Sequence, residues 1–509
     1  MQPKVALIYA KSQVLREKAA ALFAQEGVAT GNGARDEIIP PLGIAILAAG
    51  LLERGYEVKI LDDSIEDMDT LRSAMEWSDI VGISTLTPNA RRARELGLVA
   101  KTEVGRFVIM GGPHPTTNPE FFLDAGAADI CVQGEGDLTL PEILEHWQDR
   151  SKWTDILGMT FKGDDGQLVK NPRRPLIKQM DEVPYPAYHL YDMPKFLRLM
   201  INPSVNMITS RGCPYACTFC DAEMTPRQYR SMSPTKVVDL IEHLLKTYNP
   251  PQFMFFDDLF TIQKKRVIAI CQEIIRRGLF FEWTCESRLD TMDFELLRWM
   301  KKAGCVKIYY GLESGSPDVL VSVKKGLTTE KILAAARLNR EVGMTFKYFL
   351  MYGFPQEQAK DHRLTEWIVQ QTRPDQIHLS LLQPIPGTEI YEQLKPVLLK
   401  DMAEVDFHYW HGTESFKHPV FTHKELQDDR EQLLKIHART TRSLKNRLLR
   451  KWERLVAMVR NPVLISDWFE VRRRRKTYQA RVRSSEWSYA FERDKRDKVA
   501  LQVPEVEID

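Results

Sequence analysis

Eleven short apolar runs, each neighboured by an amphipathic stretch, constrain this 509-residue chain more than any single motif does. From residue 4 to about 148 the runs KVALIYA, YEVKILD, DIVGIS, RFVIMGG and DICVQG are continuous in apolar residues rather than alternating. Continuity of that kind predicts strands of a parallel sheet buried on both faces. Between them LGIAILAAGLLERG, MDTLRSAMEW, PNARRARELGLVAKT and DLTLPEILEHW predict helices. Five β/α units make a doubly wound domain, 1–148, whose ligands bind beyond the carboxyl ends of the strands. Those ends carry STLTPN, MGGPHPTTNPE and GEGD, a binding edge on which nothing catalytic is visible.

The alternation pauses over a connector, 149–203, where GMTFKGDDGQLVKN predicts a hairpin. Pro184, Pro186 and Pro194 then stand in a tyrosine-studded extended segment. Over 204–395 the rhythm resumes: SVNMITS, QFMFFD, EWTCES, VKIYYGLESG, FKYFLMYG and QIHLSLLQP predict six more strands. The fold class is therefore α/β, with a partial (β/α)6 barrel after the first domain and a mainly helical, basic region at 396–509. In barrels of this kind functional side chains project from the carboxyl ends of strands. Here those ends bear SRGCPYACTFCDAE, Asp257 with Asp258, Glu286 with Arg288, Glu313 with Ser314, Gly353 and Gln383. Tyr309, Tyr310, Tyr348 and Tyr352 on the predicted strands are candidates to line a substrate cavity, although aromatic strand residues more often belong to the core.

Of seven cysteines, Cys213, Cys217 and Cys220 crowd into eight residues, while Cys131, Cys271, Cys285 and Cys305 are scattered in apolar runs. An odd, scattered set argues against a secreted disulfide framework and for a reducing cytoplasm. The start, MQPKVALIYAKSQ, lacks the apolar core of a signal peptide, and no run of 18 uncharged apolar residues predicts a transmembrane helix. Three thiolates at CxxxCxxC spacing suit a soft metal. Structural zinc prefers four closed ligands, and neither a second knuckle nor a following His pair is present. A [4Fe–4S] cluster on three thiolates leaves one iron without a protein ligand. A zinc or structural cluster completed by a distant Cys or His is the alternative.

That loop, placed after the first barrel strand, preceded by Arg211-Gly212 and with Phe219 before its last cysteine, resembles the radical S-adenosylmethionine (SAM) enzymes. The resemblance implies that SAM chelates the open iron and is cleaved by electron transfer to a 5′-deoxyadenosyl radical. It also implies SAM-side roles along the barrel: Phe219 beside the cluster, Asp257 or Asp258 toward the methionine amino group, and Arg288 toward its carboxylate. Glu286 is implied for the ribose hydroxyls and Glu313 and Ser314 for further contacts. Gly353 matches with Pro355 and Glu357 the family's Gly-x-Pro-x-Glu. Without the resemblance, Asp257–Asp258 also fit a helix cap and Glu286–Arg288 a strand-end ion pair.

A doubly wound domain ahead of such a barrel is similar to the cobalamin-binding domain of the cobalamin-dependent radical SAM subgroup. Cobalamin is then the third cofactor, over Ser84, Thr85, Leu86, Thr87 and Pro88, with Gly111, Gly112, His114 and Thr116 nearby. Gly134, Glu135 and Gly136 would line the tail-binding end. The Asp-x-His-x-x-Gly of classical cobalamin proteins is missing, because His114 has Gly112 two residues before it. A cobalt without a lower His ligand is the expectation. The alternative is that these are ordinary helix-N-terminal loops.

Two reactions follow from the resemblance: cobalamin-dependent methylation of an unactivated carbon on a small or lipophilic substrate, or oxidative cyclisation of a tetrapyrrole-like one, as in the anaerobic magnesium-protoporphyrin monomethyl ester cyclase-like group. A non-catalytic cobalamin or cluster sensor is the alternative of another class. An electron donor such as flavodoxin or ferredoxin is implied as partner. Net charge is only +2, yet residues 438–483 hold 15 Lys or Arg against three acids, including RRRRK at 472–476. Basic residues mixed with Leu, Val and Trp at helical spacing suit an anionic membrane surface as well as a solvated helical face. Nucleic acid is not expected, since no binding module accompanies the charge. The expected location is the cytoplasm, with peripheral contact at the inner face of the membrane if 438–483 docks there.

Overall fold

The computed structural model describes residues 2–12, 16, 38–200, 203–221, 226–405 and 414–483. The last stretch of the basic C-terminal region, 484–509, lies outside the described residues. Strands β1 (Val5–Tyr9), β2 (Val58–Asp62), β3 (Ile80–Ser84), β4 (Phe107–Gly111) and β5 (Ile130–Val132) form a parallel sheet in the order 2-1-3-4-5. This is the doubly wound order with its switch point between β1 and β3. The predicted hairpin, β6 (Met159–Lys162) and β7 (Leu168–Lys170), adds antiparallel to β5 and brings that sheet to seven strands.

Helix α1 (Leu42–Leu52), LGIAILAAGLL, is apolar on every side, the mark of a helix with no solvent face. Its Leu42, Ala45 and Ile46 join the barrel's core, while Ile44, Ala48, Ala49 and Leu51 join the core of the first sheet. Each large buried side chain contributes about 2 kcal/mol, so one helix ties two cores together.

The second sheet is wholly parallel: β8 (Ser204–Met207), β11 (Gln252–Phe255), β12 (Glu282–Ser287), β13 (Cys305–Glu313), β14 (Thr345–Tyr352) and β15 (Gln376–Leu381), in that spatial order. β8 and β15 do not pair, so the barrel is open and has two edges. At one edge the Tyr188 hydroxyl of the connector donates to the Asn206 carbonyl (2.6 Å), and Asn206 Nδ2 donates to Pro40 O (3.0 Å). At the other, Arg430 Nε donates to Leu379 O (3.0 Å). Both devices satisfy edge carbonyls that would otherwise invite another strand.

Outside the barrel lie helices α3 (Phe294–Lys302), α4 (Thr329–Val342) and α5 (Ala359–Thr372), in front of them in the chain α2 (Gly136–His146) of the first domain, and after them α6 (His423–Arg442), α7 (Leu444–Arg460) and α8 (Val463–Arg483). α6 packs on α5 and β15, α7 on α4, and α8 on α3. No helix among the described residues is long and apolar enough to cross a membrane.

Period-2 alternation settles the four tyrosines. Tyr310, Tyr348 and Tyr352 are fully buried between sheet and helices, with the Tyr310 hydroxyl bonded to Asn339 Oδ1 of α4 (3.1 Å). They are core, not cavity lining. Only Tyr309 takes the opposite register, stacked on Phe349 and paired in the ladder with Glu286.

The two domains meet through a short ribbon, β9 (Ser210–Arg211) and β10 (Arg230–Ser231), that sets Arg211 directly opposite Arg230. Like charges so placed repel. Two carboxylates from the start of α2 neutralise them. Asp137 takes both Arg211 Nη atoms (3.0 and 2.9 Å), and Glu135 takes both Nη atoms of Arg230 (3.0 and 2.8 Å). Breaking a largely buried pair by removing one partner leaves an uncompensated charge. Arg230→Met is therefore expected to destabilise the protein by about 3 kcal/mol. Adding Glu135→Gln should restore part of it in a double-mutant urea-unfolding cycle.

Candidate active site at the facing sheet edges

The cysteine loop leaves β9 and is pinned along its length. Gly212, with φ +84°, has Gln228 O 2.3 Å and Pro226 O 2.6 Å from where a Cβ would stand, so only glycine fits the turn. Its amide donates to Asp258 Oδ2 (2.9 Å), Cys213 N donates to Pro226 O (3.0 Å) and Thr218 N to Val323 O (3.2 Å). The three thiols are strung along this loop, Cys213 and Cys217 half-buried and Cys220 exposed, and none of the seven cysteines is in a disulfide. Among the described residues no three His, Cys, Asp or Glu side chains close into a metal-holding group.

The acidic pair Asp257–Asp258 divides its work. Asp257 is buried and accepts from Thr209 N and Thr209 Oγ1 (2.7 Å each) and from Ser210 Oγ. Arg266 Nη2 reaches the same Thr209 carbonyl and hydroxyl (2.9 Å each). Asp257 thus braces the strand end from which the loop departs. Asp258 spends Oδ2 on the Gly212 amide and lies by the mouth, with its pKa raised by desolvation. The strand ends at Phe255 and a turn begins at Asp258, so the two adjacent aspartates part, Asp257 buried and Asp258 exposed.

Arg288 is closed on Asp290 through two 3.0 Å hydrogen bonds, also bonds the Lys325 carbonyl, and lies 3.6 Å from the centre of the Tyr215 ring. Glu313 takes φ +67°, a left-handed conformation that costs a non-glycine residue about 1 kcal/mol or more. Its carboxylate pairs with the buried Lys325 ammonium (2.8 Å), over Gly311, whose absent side chain leaves room for the pair. Lys325 also lies 5.7 Å from the Phe219 ring, and Phe219 packs on Phe354. Nothing in KKGLTT marks Lys325 in the sequence; only the fold brings it to the cysteine loop. Ser314 is fully buried, its hydroxyl set against Thr365 of α5 (3.3 Å) and accepting from Ser316 N (3.2 Å).

At Gly353, φ +94°, the Glu357 carboxylate caps the turn by accepting from Gly353 N (2.6 Å) and Phe354 N (3.0 Å). His362 stands behind Glu357 (3.4 Å) and is itself held by Asp429 of α6 (2.6 Å). This support from the C-terminal region was not visible in the sequence.

On the first domain, the loops after β3, β4 and β5 come together. Thr85 N donates to Gly111 O (3.0 Å), and the Thr116 hydroxyl donates to Gly112 O (2.8 Å) while accepting from Gly134 N (3.0 Å). Gly112, φ +102°, has Thr85 O 2.7 Å and the Ser84 hydroxyl 3.2 Å from its missing Cβ, so Thr85 and Gly112 pack backbone to backbone with the Ser84 side chain against them. Leu86 leads into the short turn Thr87–Asn89, with Thr87 and Pro88 buried. Gly134, φ +74°, has nothing within 4 Å of a Cβ position, and Gly136 opens α2 against Leu47. His114 is fully buried beside Thr87 Oγ1 (3.2 Å), edge-on to Phe121 and Phe122; burial lowers its pKa to about 4. The Glu135 side chain is engaged by Arg230, across the domain boundary.

The two edges face each other. Gly387, after β15, presses on Thr117 of the first domain, Cγ2 being 2.5 Å from where its Cβ would stand. Arg211, two residues before Cys213, is held by Asp137. A glycine-rich loop edge is thus set against a barrel mouth that carries three thiols, the arrangement of a two-domain α/β protein with its candidate site between the two sheets.

The profile of the radical SAM superfamily matches residues 207–368, and that of the B12 binding domain matches residues 31–144. An uncharacterized methyltransferase of Pyrococcus horikoshii is 33% identical over 360 residues, covering 69% of this chain and 78% of that one. The anaerobic magnesium-protoporphyrin IX monomethyl ester cyclase of Rubrivivax gelatinosus is 28% identical over 368 residues, covering 70% of this chain and 66%, just under two thirds, of that one. The radical SAM methyltransferase TsrM of Kitasatospora setae, solved with cobalamin and a [4Fe–4S] cluster, superposes with a TM-score of 0.62 at 18% identity, covering 78% of this chain and 75% of that one. The chain belongs to the radical SAM superfamily, in the group that carries a B12 binding domain.

Its cofactors are a [4Fe–4S] cluster, SAM and cobalamin. The chemistry of the residues present fits the cluster and cobalamin, although the three thiols stand apart along their loop. Three thiols on a pinned loop beside the Arg288 cation suit an anionic thiolate-held cluster. The open space at Gly134 and the close-packed Gly111–Gly112 turn suit a large flat ligand at a sheet edge.

Burial lifts the Glu286 carboxyl to about 7; Asp258 adds repulsion, Lys347 opposes it, and Glu313 adds more repulsion. An acid whose folded pKa is raised gives stability at low pH that is lost as pH rises through the folded value. Without SAM, Glu286→Gln should melt above the parent at pH 8, and the gap should shrink toward pH 4.5. A constant gap across that range would show that Glu286 is not raised.

Proposed function

We propose that the protein is a cobalamin-dependent C-methylase acting on an unactivated carbon of a small or lipophilic molecule. The observation that carries this reading is the facing of the two sheet edges, locked by Arg211–Asp137 and Arg230–Glu135. That lock puts the candidate corrin loops and the cysteine loop on one boundary. When bound, the cluster would supply the electron for reductive cleavage of SAM, and cobalamin would carry the methyl group.

The chain's own residues hold and orient. Cys213, Cys217 and Cys220 are assigned to the cluster, and Asp258 to the SAM ammonium, a charge-assisted pair. Glu286, raised by burial to about 7, holds its proton part of the time near neutral pH, so it can donate a hydrogen bond to a ribose hydroxyl as well as accept one. Arg288 has its fork closed on Asp290, and its part is to steady Tyr215 and the loop. Phe219, with Phe354, keeps water from the inner side of the loop. Asp257 and Ser314 act through the scaffold, by the bonds they already make. On the first domain, Ser84–Pro88, Gly111, Gly112, Thr116 and Gly134 are assigned to the corrin. His114 supports their loop from within, and Glu135 and Gly136 fix its distance from the barrel. A flavodoxin or ferredoxin is the proposed electron donor.

The methyltransferase among the relatives supports methylation, and the cyclase relative favours a second reading, radical oxidation or cyclisation at the same site. Anaerobic turnover of the reconstituted enzyme with SAM, cobalamin and a chemical reductant separates them. Methylation predicts both 5′-deoxyadenosine and S-adenosylhomocysteine. The deoxyadenosine alone would favour cyclisation, and neither product would mean a carrier or sensor. Cys213→Ala is expected to lower 5′-deoxyadenosine at least 100-fold, the scale on which loss of a group essential to the chemistry is felt.

A further inference from the structure

Helix α7 has two faces of opposite character. One is bound to the barrel: Ala457 is buried, Arg450 Nη2 donates to Arg373 O (2.6 Å), and Glu453 pairs with Arg340 (3.0 Å) and Arg373. The other carries Leu444, Leu448, Trp452, Leu455 and Val459, each between 53% and 73% exposed. At 3.6 residues per turn these five fall within an arc of about 80° and a length of about 22 Å, on the side away from the barrel. An apolar stripe on the outward side of a surface helix reverses the usual order and marks an interaction site. Lys451 and Arg447 flank it on one side and Lys445 on the other. All three are exposed and make no ion pair among the described residues.

We propose that this face of α7 docks on an anionic lipid surface. Charge complementarity selects the occupant. Glu453 is the only acid on α7, and it faces the barrel. A second copy would have to bring the same lysines and arginine against themselves, whereas paired helices use opposite charges beside an apolar seam. A bilayer bearing acidic headgroups takes both the cations and the stripe, and a tryptophan mid-stripe suits the headgroup level. The first turns of α8 add exposed Val463, Ile465 and Phe469.

The assignment moves the contact away from the RRRRK run. Arg474 donates to Lys302 O (3.2 Å) and Leu279 O, and Arg475 pairs with Glu282 (2.7 Å). Those two arginines attach α8 to the barrel, so neutralising 472–475 would disturb the fold as well as any membrane contact. Docking through α7 goes beyond the methylation reading and stands independently of it.

The test is co-sedimentation of the full-length reconstituted protein with vesicles of phosphatidylglycerol and phosphatidylcholine in equal parts. Binding is expected to exceed that to phosphatidylcholine alone at least tenfold and to fall as salt rises. Replacing Lys445, Arg447 and Lys451 together by Gln should weaken it roughly a hundredfold. Trp452→Glu should weaken it at least tenfold while 5′-deoxyadenosine formation stays unchanged. Equal binding to both vesicle types, or no loss in Trp452→Glu, overturns the proposal. So does a dimer in light scattering that Trp452→Glu converts to monomer, since the face would then belong to a second copy.

Discussion

Two arginines facing each other across a two-residue ribbon would separate unless something held them, and what holds them comes from the other domain. Glu135 and Asp137 stand at the N-terminal end of α2, where the helix macrodipole already favours negative charge. Arg211 and Arg230 flank the cysteine loop in the chain, so the clamp fixes at once the root of the loop and its position against the first domain. Helix α1, shared between the two cores, supplies the apolar counterpart. The hydrophobic contact holds the domains together; the ion pairs set which edges face.

At the barrel mouth the polar groups form layers. Asp257, Ser314 and Glu357 lie inward and spend themselves on backbone amides, hydroxyls and helix turns. Asp258, Glu286 and the Glu313–Lys325 pair stand nearer the loop. Burial makes ionisation costly for Glu286, and the neighbouring carboxylates Asp258 and Glu313 add to it, which is why it rises to about 7. Groups of that kind tend to sit where a ligand with opposite charge completes them.

The C-terminal helices do structural and surface work on opposite sides. Inward, Arg430 caps an open strand edge and Asp429 supports the His362–Glu357 turn, so the barrel depends on a region with none of its sequence rhythm. Outward, α7 is left with an apolar stripe between cations. Basic composition alone could not separate those arginines that bind carbonyls from those that face solvent.

The order of strands along the chain, the pause at the connector and the three-cysteine loop were legible in the sequence, because apolar runs, proline and thiol spacing are local properties. Even the hairpin GMTFKGDDGQLVKN was legible as a hairpin, although only the ladder with β5 shows which sheet it extends. Which of Asp257 and Asp258 faces the mouth, which of four tyrosines is not core, that Arg288 is already closed on Asp290, and that Lys325 stands beside Phe219 were decided by the tertiary structure alone. The physical reason is range. Strand periodicity is written within a few residues, but a side chain's partner is whatever a distant segment brings within about 3 Å, and Glu135 meets Arg230 across 95 positions of chain.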